Sequence, residues 1–93
     1  MQAAEAKKLG NECMKQDKFI EALLHYTKAI KLESEDATLY SNRSLAFLKA
    51  QQFFHSKEDA EKVIELRPKW TKVHKVTNPI FQLFLHVYFT IPA

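Results

Sequence analysis

Apolar residues recur at spacings of three and four along most of the chain, which is the pattern of amphipathic α-helices. Short polar turns separate four such segments. We expect helices from Ala3 to about Gln16, from Phe19 to about Leu32, from Ala37 to Ala50 and from Phe53 to about Leu66. Pro68 ends the fourth segment, because a helix normally stops before the residue that precedes a proline. The pattern predicts an all-α fold of two antiparallel helical hairpins.

The second and fourth segments show which side chains should face the core. In the second segment the apolar positions share one helical face: Phe19, Ala22, Leu23, Tyr26, Ala29 and Ile30. In the fourth we expect Phe53, Ala60, Val63 and Ile64 to point inward and the Glu58-Asp59 pair to lie on a solvated face.

A glycine lies inside the first predicted helix. Gly10 costs about 1 kcal/mol there relative to alanine, so a packing reason is expected. We therefore predict that a neighbouring helix crosses too close to Gly10 for any side chain to fit.

The two predicted hairpins are copies of one another. Sliding the chain along itself places several residues on identical residues: Ala3 on Ala37, Lys15 on Lys49, Phe19 on Phe53, Lys28 on Lys62, Ile30 on Ile64 and Leu32 on Leu66. We call this alignment the repeat register. Its period of about 34 residues is that of a helical-hairpin solenoid.

A third copy starts at Lys69 and breaks at about Val76, because Pro79 falls inside what should be its helix. The remaining residues, 77–93, form an apolar tail. Within it Pro79 to Thr90 is predicted to be a short helix, too short to cross a bilayer as a helix of about 20 residues. The tail could cap the last apolar face, dock a partner, pair with another copy of the chain or lie on a membrane surface.

The length, composition and charge of the chain limit the classes of function that it can have. With 93 residues, 46% hydrophobic and 27% charged, the chain is predicted to be one small globular domain without room for a separate catalytic domain. The net charge of +3 suits an acidic partner and does not require nucleic acid. A single cysteine, Cys13, and an N-terminus without an apolar signal segment predict a cytoplasmic or nuclear protein.

The sequence contains no residue pattern typical of a catalytic or metal-binding site. The four histidines share no metal-ligand spacing with each other or with Cys13: His25, His55, His74 and His86. Cys13 is interpreted as a structural thiol, and one glycine cannot build a phosphate loop. We predict no enzyme activity, no metal and no cofactor.

Residues at signature positions of both copies resemble the tetratricopeptide repeat family. The first copy carries Leu9, Gly10, Ala22, Tyr26 and Ala29, and the second carries Tyr40, Ser44, Phe47, Phe53 and Pro68. The resemblance covers about residues 3–76. It implies one repeat over about 3–36, a second over about 37–70, the start of a broken third over 71–76, and a divergent C-terminal helical segment over 77–93.

Three stretches, 7–11, 39–44 and 67–72, more narrowly resemble the repeat domains of co-chaperones that bind cytosolic heat-shock chaperones. Those domains hold the acidic Glu-Glu-Val-Asp tail of the partner in a two-carboxylate clamp. The resemblance assigns clamp positions to Lys7, Asn11, Asn42 and Lys72. The fifth position, usually an arginine, falls on Val76, where neighbouring Lys75 can reach in part.

The resemblance implies a non-enzymatic adaptor that docks an acidic chain end of a heat-shock chaperone. Asparagine is a poor helix former, so two of them inside predicted helices favour a binding role over simple solvent exposure. Arg43 has two interpretations, a supporting ligand contact or an ion pair with an acidic neighbour. Two alternatives stay open. The chain is a scaffold for an unrelated partner, or it self-associates through the tail instead of remaining a monomer.

Overall fold

The computed structural model describes residues 2–67, which form four α-helices and no strand. Helix α1 spans Ala3–Lys15, α2 spans Phe19–Leu32, α3 spans Ala37–Lys49 and α4 spans Phe53–Leu66. The predicted all-α fold is confirmed, and α1 and α3 each end one residue earlier than expected. The predicted third copy and the apolar tail lie outside the described residues.

Consecutive helices pack against each other, so α1 with α2 and α3 with α4 form two hairpins. The hairpins meet chiefly through α2 and α3, and α1 also touches α3. The first and third helices therefore share one side of the array. Within residues 2–67, no helix has the length and apolar character needed to cross a membrane.

Both hairpin turns contain one residue in the left-handed backbone region. These residues are Asp17, with φ of 59°, and Gln51, with φ of 63°, and they occupy the same position in the repeat register. The next residue in each turn donates its backbone N–H to a carbonyl at 2.8 Å, Lys18 to Cys13 and Gln52 to Phe47. This bond closes the helix end in the manner usual for a left-handed cap. The two turns thus repeat in structure as well as in sequence.

The connector between the hairpins caps α3. Asp36 lies before the first residue of α3, and its Oδ1 accepts the backbone N–H of Thr38 at 3.0 Å. Because the first turn of a helix leaves N–H groups unpaired, this bond fixes where α3 begins.

The core consists of small residues that let helices approach and a few large ones that fill the space between them. One cluster lies between the two hairpins: Ala6, Ala29, Ile30, Ala37, Leu39, Tyr40 and Val63. A second cluster contains Ala22, Tyr26 and Ala46, with Cys13, Met14 and Leu23 packed against it. The buried residues of α2 are four of the six that its periodicity predicted, and the other two, Phe19 and Leu23, are half-buried.

The close approach predicted at Gly10 is confirmed. A Cβ on Gly10 would lie 2.5 Å from Cε1 of the Tyr26 ring, closer than side-chain atoms can approach. In the repeat register these two positions are Ser44 and Ala60, both buried. At this contact the first hairpin has a glycine facing a large ring. The second hairpin has two small side chains at the same positions.

Two inward predictions for α4 are wrong. Phe53 is 62% exposed and Ile64 is 38% exposed. Their register equivalents on α2, Phe19 and Ile30, are half-buried and buried, because α2 packs against both α1 and α3. Within residues 2–67, α4 packs mainly against α3.

Candidate functional site

A set of polar side chains lines the side of the array where α1 meets α3. Lys7 and Asn11 lie four residues apart on α1, and Thr38 and Asn42 have the same spacing on α3. Residues four apart share a helical face, so each pair forms a short row. We call these four residues the α1–α3 polar face, and all four are half-buried.

The two rows are joined by hydrogen bonds between the helices. Lys7 Nζ donates to Thr38 Oγ1 at 2.9 Å, and Asn42 Nδ2 donates to Asn11 Oδ1 at 3.4 Å. The structure thus brings together the three predicted clamp residues that it describes. Lys72, Lys75 and Val76 lie outside the described residues.

Thr38 belongs to this face, although the sequence analysis did not single it out. Its hydroxyl accepts from Lys7 and donates to Asp36 Oδ1 at 2.6 Å, so it links a cation to a carboxylate. The spacing offered a signal, because Thr38 precedes Asn42 by the same interval that separates Lys7 from Asn11. An ammonium group has three donors, so Lys7 keeps two for another acceptor.

Asn11 also forms a hydrogen bond with a residue of α2. The hydroxyl of Tyr26 donates to Asn11 Oδ1 at 2.5 Å, and the same oxygen accepts from Asn42. In the described part of the chain Nδ2 of Asn11 donates to no protein group. The amide therefore has its acceptor engaged and its two donors available.

The Tyr26 hydroxyl keeps its proton at neutral pH. Tyr26 is 1% exposed, and burial, with a smaller contribution from nearby Cys13, raises the pKa of its phenol to about 12. Because ionisation is disfavoured, the hydroxyl stays a donor throughout the physiological range. The sequence analysis placed Tyr26 on the core-facing side of its helix but did not predict its bond to Asn11.

Arg43 lies on α3 beside Asn42, but its guanidinium is occupied by an ion pair. Nε donates to Asp59 Oδ2 at 2.7 Å and Nη2 donates to Asp59 Oδ1 at 2.8 Å. Nη1 reaches Thr27 on α2 at 3.3 Å. The bond to Asp59 raises the pKa of Arg43 further above its ordinary value. Of the two interpretations of Arg43, the structure shows the ion pair.

The prediction that Asp59 lies on a solvated face is wrong. Its side chain is 6% exposed, whereas the adjacent Glu58 side chain is 56% exposed. The pairing with Arg43 compensates the desolvation of the carboxylate, which would otherwise prevent its burial.

Cys13 is half-buried beside Ala22 and Tyr26 and contributes to packing. Among residues 2–67, no three side chains of the metal-binding types come close enough together to hold an ion. The α1–α3 polar face brings together hydrogen-bond donors from one ammonium group and two side-chain amides.

The chain matches a family model and several known proteins. A family model described as TPR repeat matches residues 10–51. The chain is 47% identical over 70 residues to "Hsp70-Hsp90 organizing protein 1" of Glycine max and 40% identical over 86 residues to "Hsp70-Hsp90 organizing protein" of Triticum aestivum. It is also 40% identical over 68 residues to "E3 ubiquitin-protein ligase TTC3" of Mus musculus.

These matches cover most of this chain and little of each relative. They span 75%, 92% and 73% of the chain, but only 12%, 15% and 3% of the three relatives. The likeness therefore concerns a segment of each relative about as long as this chain and not the rest of those proteins. With its repeated hairpins and the matching family model, the chain belongs to the tetratricopeptide repeat family.

Proposed function

We propose that this protein-interaction module binds the acidic C-terminal tail of a heat-shock chaperone, ending in Glu-Glu-Val-Asp, on the α1–α3 polar face. The observation that carries the proposal is the convergence of one ammonium group and two side-chain amides where α1 and α3 meet. A chain end with a terminal carboxylate and an Asp side chain presents paired anionic oxygens. Donors gathered on one surface match that arrangement.

Each residue of the α1–α3 polar face has a part in the proposal. Lys7 supplies the cation, with two N–H groups not used by Thr38. Asn11 supplies both N–H groups of its amide, and Asn42 supplies the N–H that does not bond Asn11. A charge-assisted hydrogen bond contributes about 1.5–3 kcal/mol, so three of them contribute about 4.5–9 kcal/mol, and only values near the upper limit reach the roughly 8 kcal/mol of a micromolar complex.

Lys72 is proposed as a second cation of the same clamp, with Lys75 as a partial substitute for the arginine that Val76 replaces. The names of two relatives, both "Hsp70-Hsp90 organizing protein", support a chaperone as the partner. Arg43 is not part of the proposed clamp, because Asp59 and Thr27 engage its guanidinium. Binding alone is proposed, without an enzymatic step and in the cytoplasm.

Calorimetric titration of a peptide ending in Glu-Glu-Val-Asp tests this function. We expect micromolar, salt-sensitive binding that falls at least tenfold in Asn42→Ala and in Lys7→Ala. The matched control is Lys8→Ala, which removes the same charge from an exposed position beside the face and should change affinity less than twofold. A peptide with an amidated C-terminus should also bind weakly.

Equal affinity for the acid and amide peptides would show that the chain end is not recognised. Equal losses in Lys7→Ala and Lys8→Ala would show only a general charge effect. Either result overturns the proposed clamp and leaves a tetratricopeptide module with a different partner.

A further inference from the structure

One residue of α2 contacts two consecutive residues of α1. The Tyr26 ring lies against Gly10, in the space where a Cβ would be, and its hydroxyl reaches Asn11 Oδ1. The missing side chain at Gly10 therefore lets the phenol extend far enough to meet the amide. With 1% exposure, Tyr26 is itself shielded from any ligand on the surface.

The direction of an asparagine amide decides whether it attracts or repels an anion. Its oxygen and nitrogen are nearly equal in size, so rotation about the last bond exchanges an acceptor for a donor at little steric cost. Presented to a carboxylate, the nitrogen donates, whereas the oxygen repels. Asn11 needs a fixed orientation if it is to favour an anionic group.

We propose that Tyr26 is a positioning residue, which orients the Asn11 amide so that its two N–H groups are presented to an anionic group of a peptide. Its consequence for binding rests on the proposed function. The hydroxyl donates to the oxygen of Asn11, and Asn42 donates to the same oxygen from the other helix. A flipped amide would lose both of these bonds and turn its own N–H groups towards the Asn42 N–H donor, so the flipped state is disfavoured.

The repeat register shows that this device belongs to the first hairpin. The positions equivalent to Tyr26 and Asn11 are Ala60 and Leu45, which cannot form the bond. An orienting contact present in one copy and absent from the other is not required by the hairpin fold itself. A role specific to the α1–α3 polar face accounts for it.

The test compares Tyr26→Phe with Tyr40→Phe in the full chain. Both variants remove one buried phenol hydroxyl and keep the ring, but the Tyr40 hydroxyl donates to the carbonyl of Ser34 at 2.8 Å and takes no part in the α1–α3 polar face. For the Glu-Glu-Val-Asp peptide we expect a loss of affinity of about threefold to tenfold in Tyr26→Phe and less than twofold in Tyr40→Phe.

A double-mutant cycle separates positioning from a general effect on stability. In an Asn11→Ala background, Tyr26→Phe should cause no further loss of affinity, because the group that it orients is gone. Equal losses in the presence and absence of Asn11 would overturn the proposal. So would equal affinities of wild type and Tyr26→Phe.

A measurement without ligand keeps the inference separate from the proposed function. NMR relaxation of the Asn11 side-chain amide should show a rigid group in wild type and Tyr40→Phe, and a mobile group in Tyr26→Phe. A mobile amide in wild type, which needs no variant to fold, would overturn positioning. Absence of peptide binding with a rigid wild-type amide would overturn the clamp and, with it, the consequence for binding.

Discussion

Arg43 and Asp59 form a two-point ion pair inside the second hairpin, with N–O distances of 2.7 and 2.8 Å. The Arg43 side chain is 19% exposed and that of Asp59 is 6% exposed, so water screens the pair weakly. The pair links α3 to α4, and the contact with Thr27 extends the link to α2. Three helices thus meet at one guanidinium.

Asp59→Ala should lower the free energy of unfolding by about 3 kcal/mol, because it leaves the Arg43 cation half-buried without its carboxylate. The measurement is urea unfolding followed by circular dichroism. Glu58→Ala is the matched control, since it removes an exposed carboxylate from the adjacent position and should change stability by less than about 0.5 kcal/mol. Similar values for both variants would contradict the buried pair.

The phenol of Tyr26 should give the fold an alkaline limit. Its pKa is about 12 in the fold and 10.0 in an exposed tyrosine. A pKa raised by folding adds stability that is complete below pH 10 and is lost as pH rises towards 12. Between pH 9.5 and about 11.5, wild type should therefore lose more stability than Tyr26→Phe does. Parallel loss in both chains would refute the assignment.

Gln51→Gly should stabilise the protein by about 0.5–1 kcal/mol, because a left-handed backbone is strained for glutamine and unstrained for glycine. The same change at Asp17 should have a smaller effect, since aspartate tolerates this region better. Thermal unfolding of the two variants gives the comparison. A larger gain at Asp17 than at Gln51 would contradict this account of the turns.

Gly10→Ala should destabilise the protein by about 1–3 kcal/mol, despite the higher helix propensity of alanine, because the new Cβ meets the Tyr26 ring. The double variant Gly10→Ser with Tyr26→Ala reproduces the pair found at Ser44 and Ala60. It should cost less than the sum of its two single variants in urea unfolding. Additive costs would show that the two residues do not share one space.

The fold could be predicted because its signals are local and repeated. Helix lengths, turns and the cap at Asp36 follow from periodicity and residue type, and the second copy supports each assignment made on the first. The face of Phe53 could not be predicted from its own helix, because exposure depends on which element comes next in the array. The repeat register matches Phe19 with Phe53 and so predicts a helix at both positions. It does not show which helices pack against each of them.

The candidate site was predicted only in part for a similar reason. The family resemblance pointed to Lys7, Asn11 and Asn42, and the structure brings these three residues together. Tyr26, Thr38 and Asp59 act through partners on other helices, and no spacing within one helix shows such contacts. Asp59 in particular carries the sequence signal of an exposed charge and is buried by a partner sixteen positions away.

The Gly10 and Tyr26 contact also limits how such a protein can diversify. If single helices were exchanged between the two copies, α1 beside α4 would place Gly10 near Ala60 and leave a void, and α3 beside α2 would drive Ser44 into the Tyr26 ring. Only whole hairpins keep their matched volumes. The unit that recombination can move without penalty is therefore the helix pair.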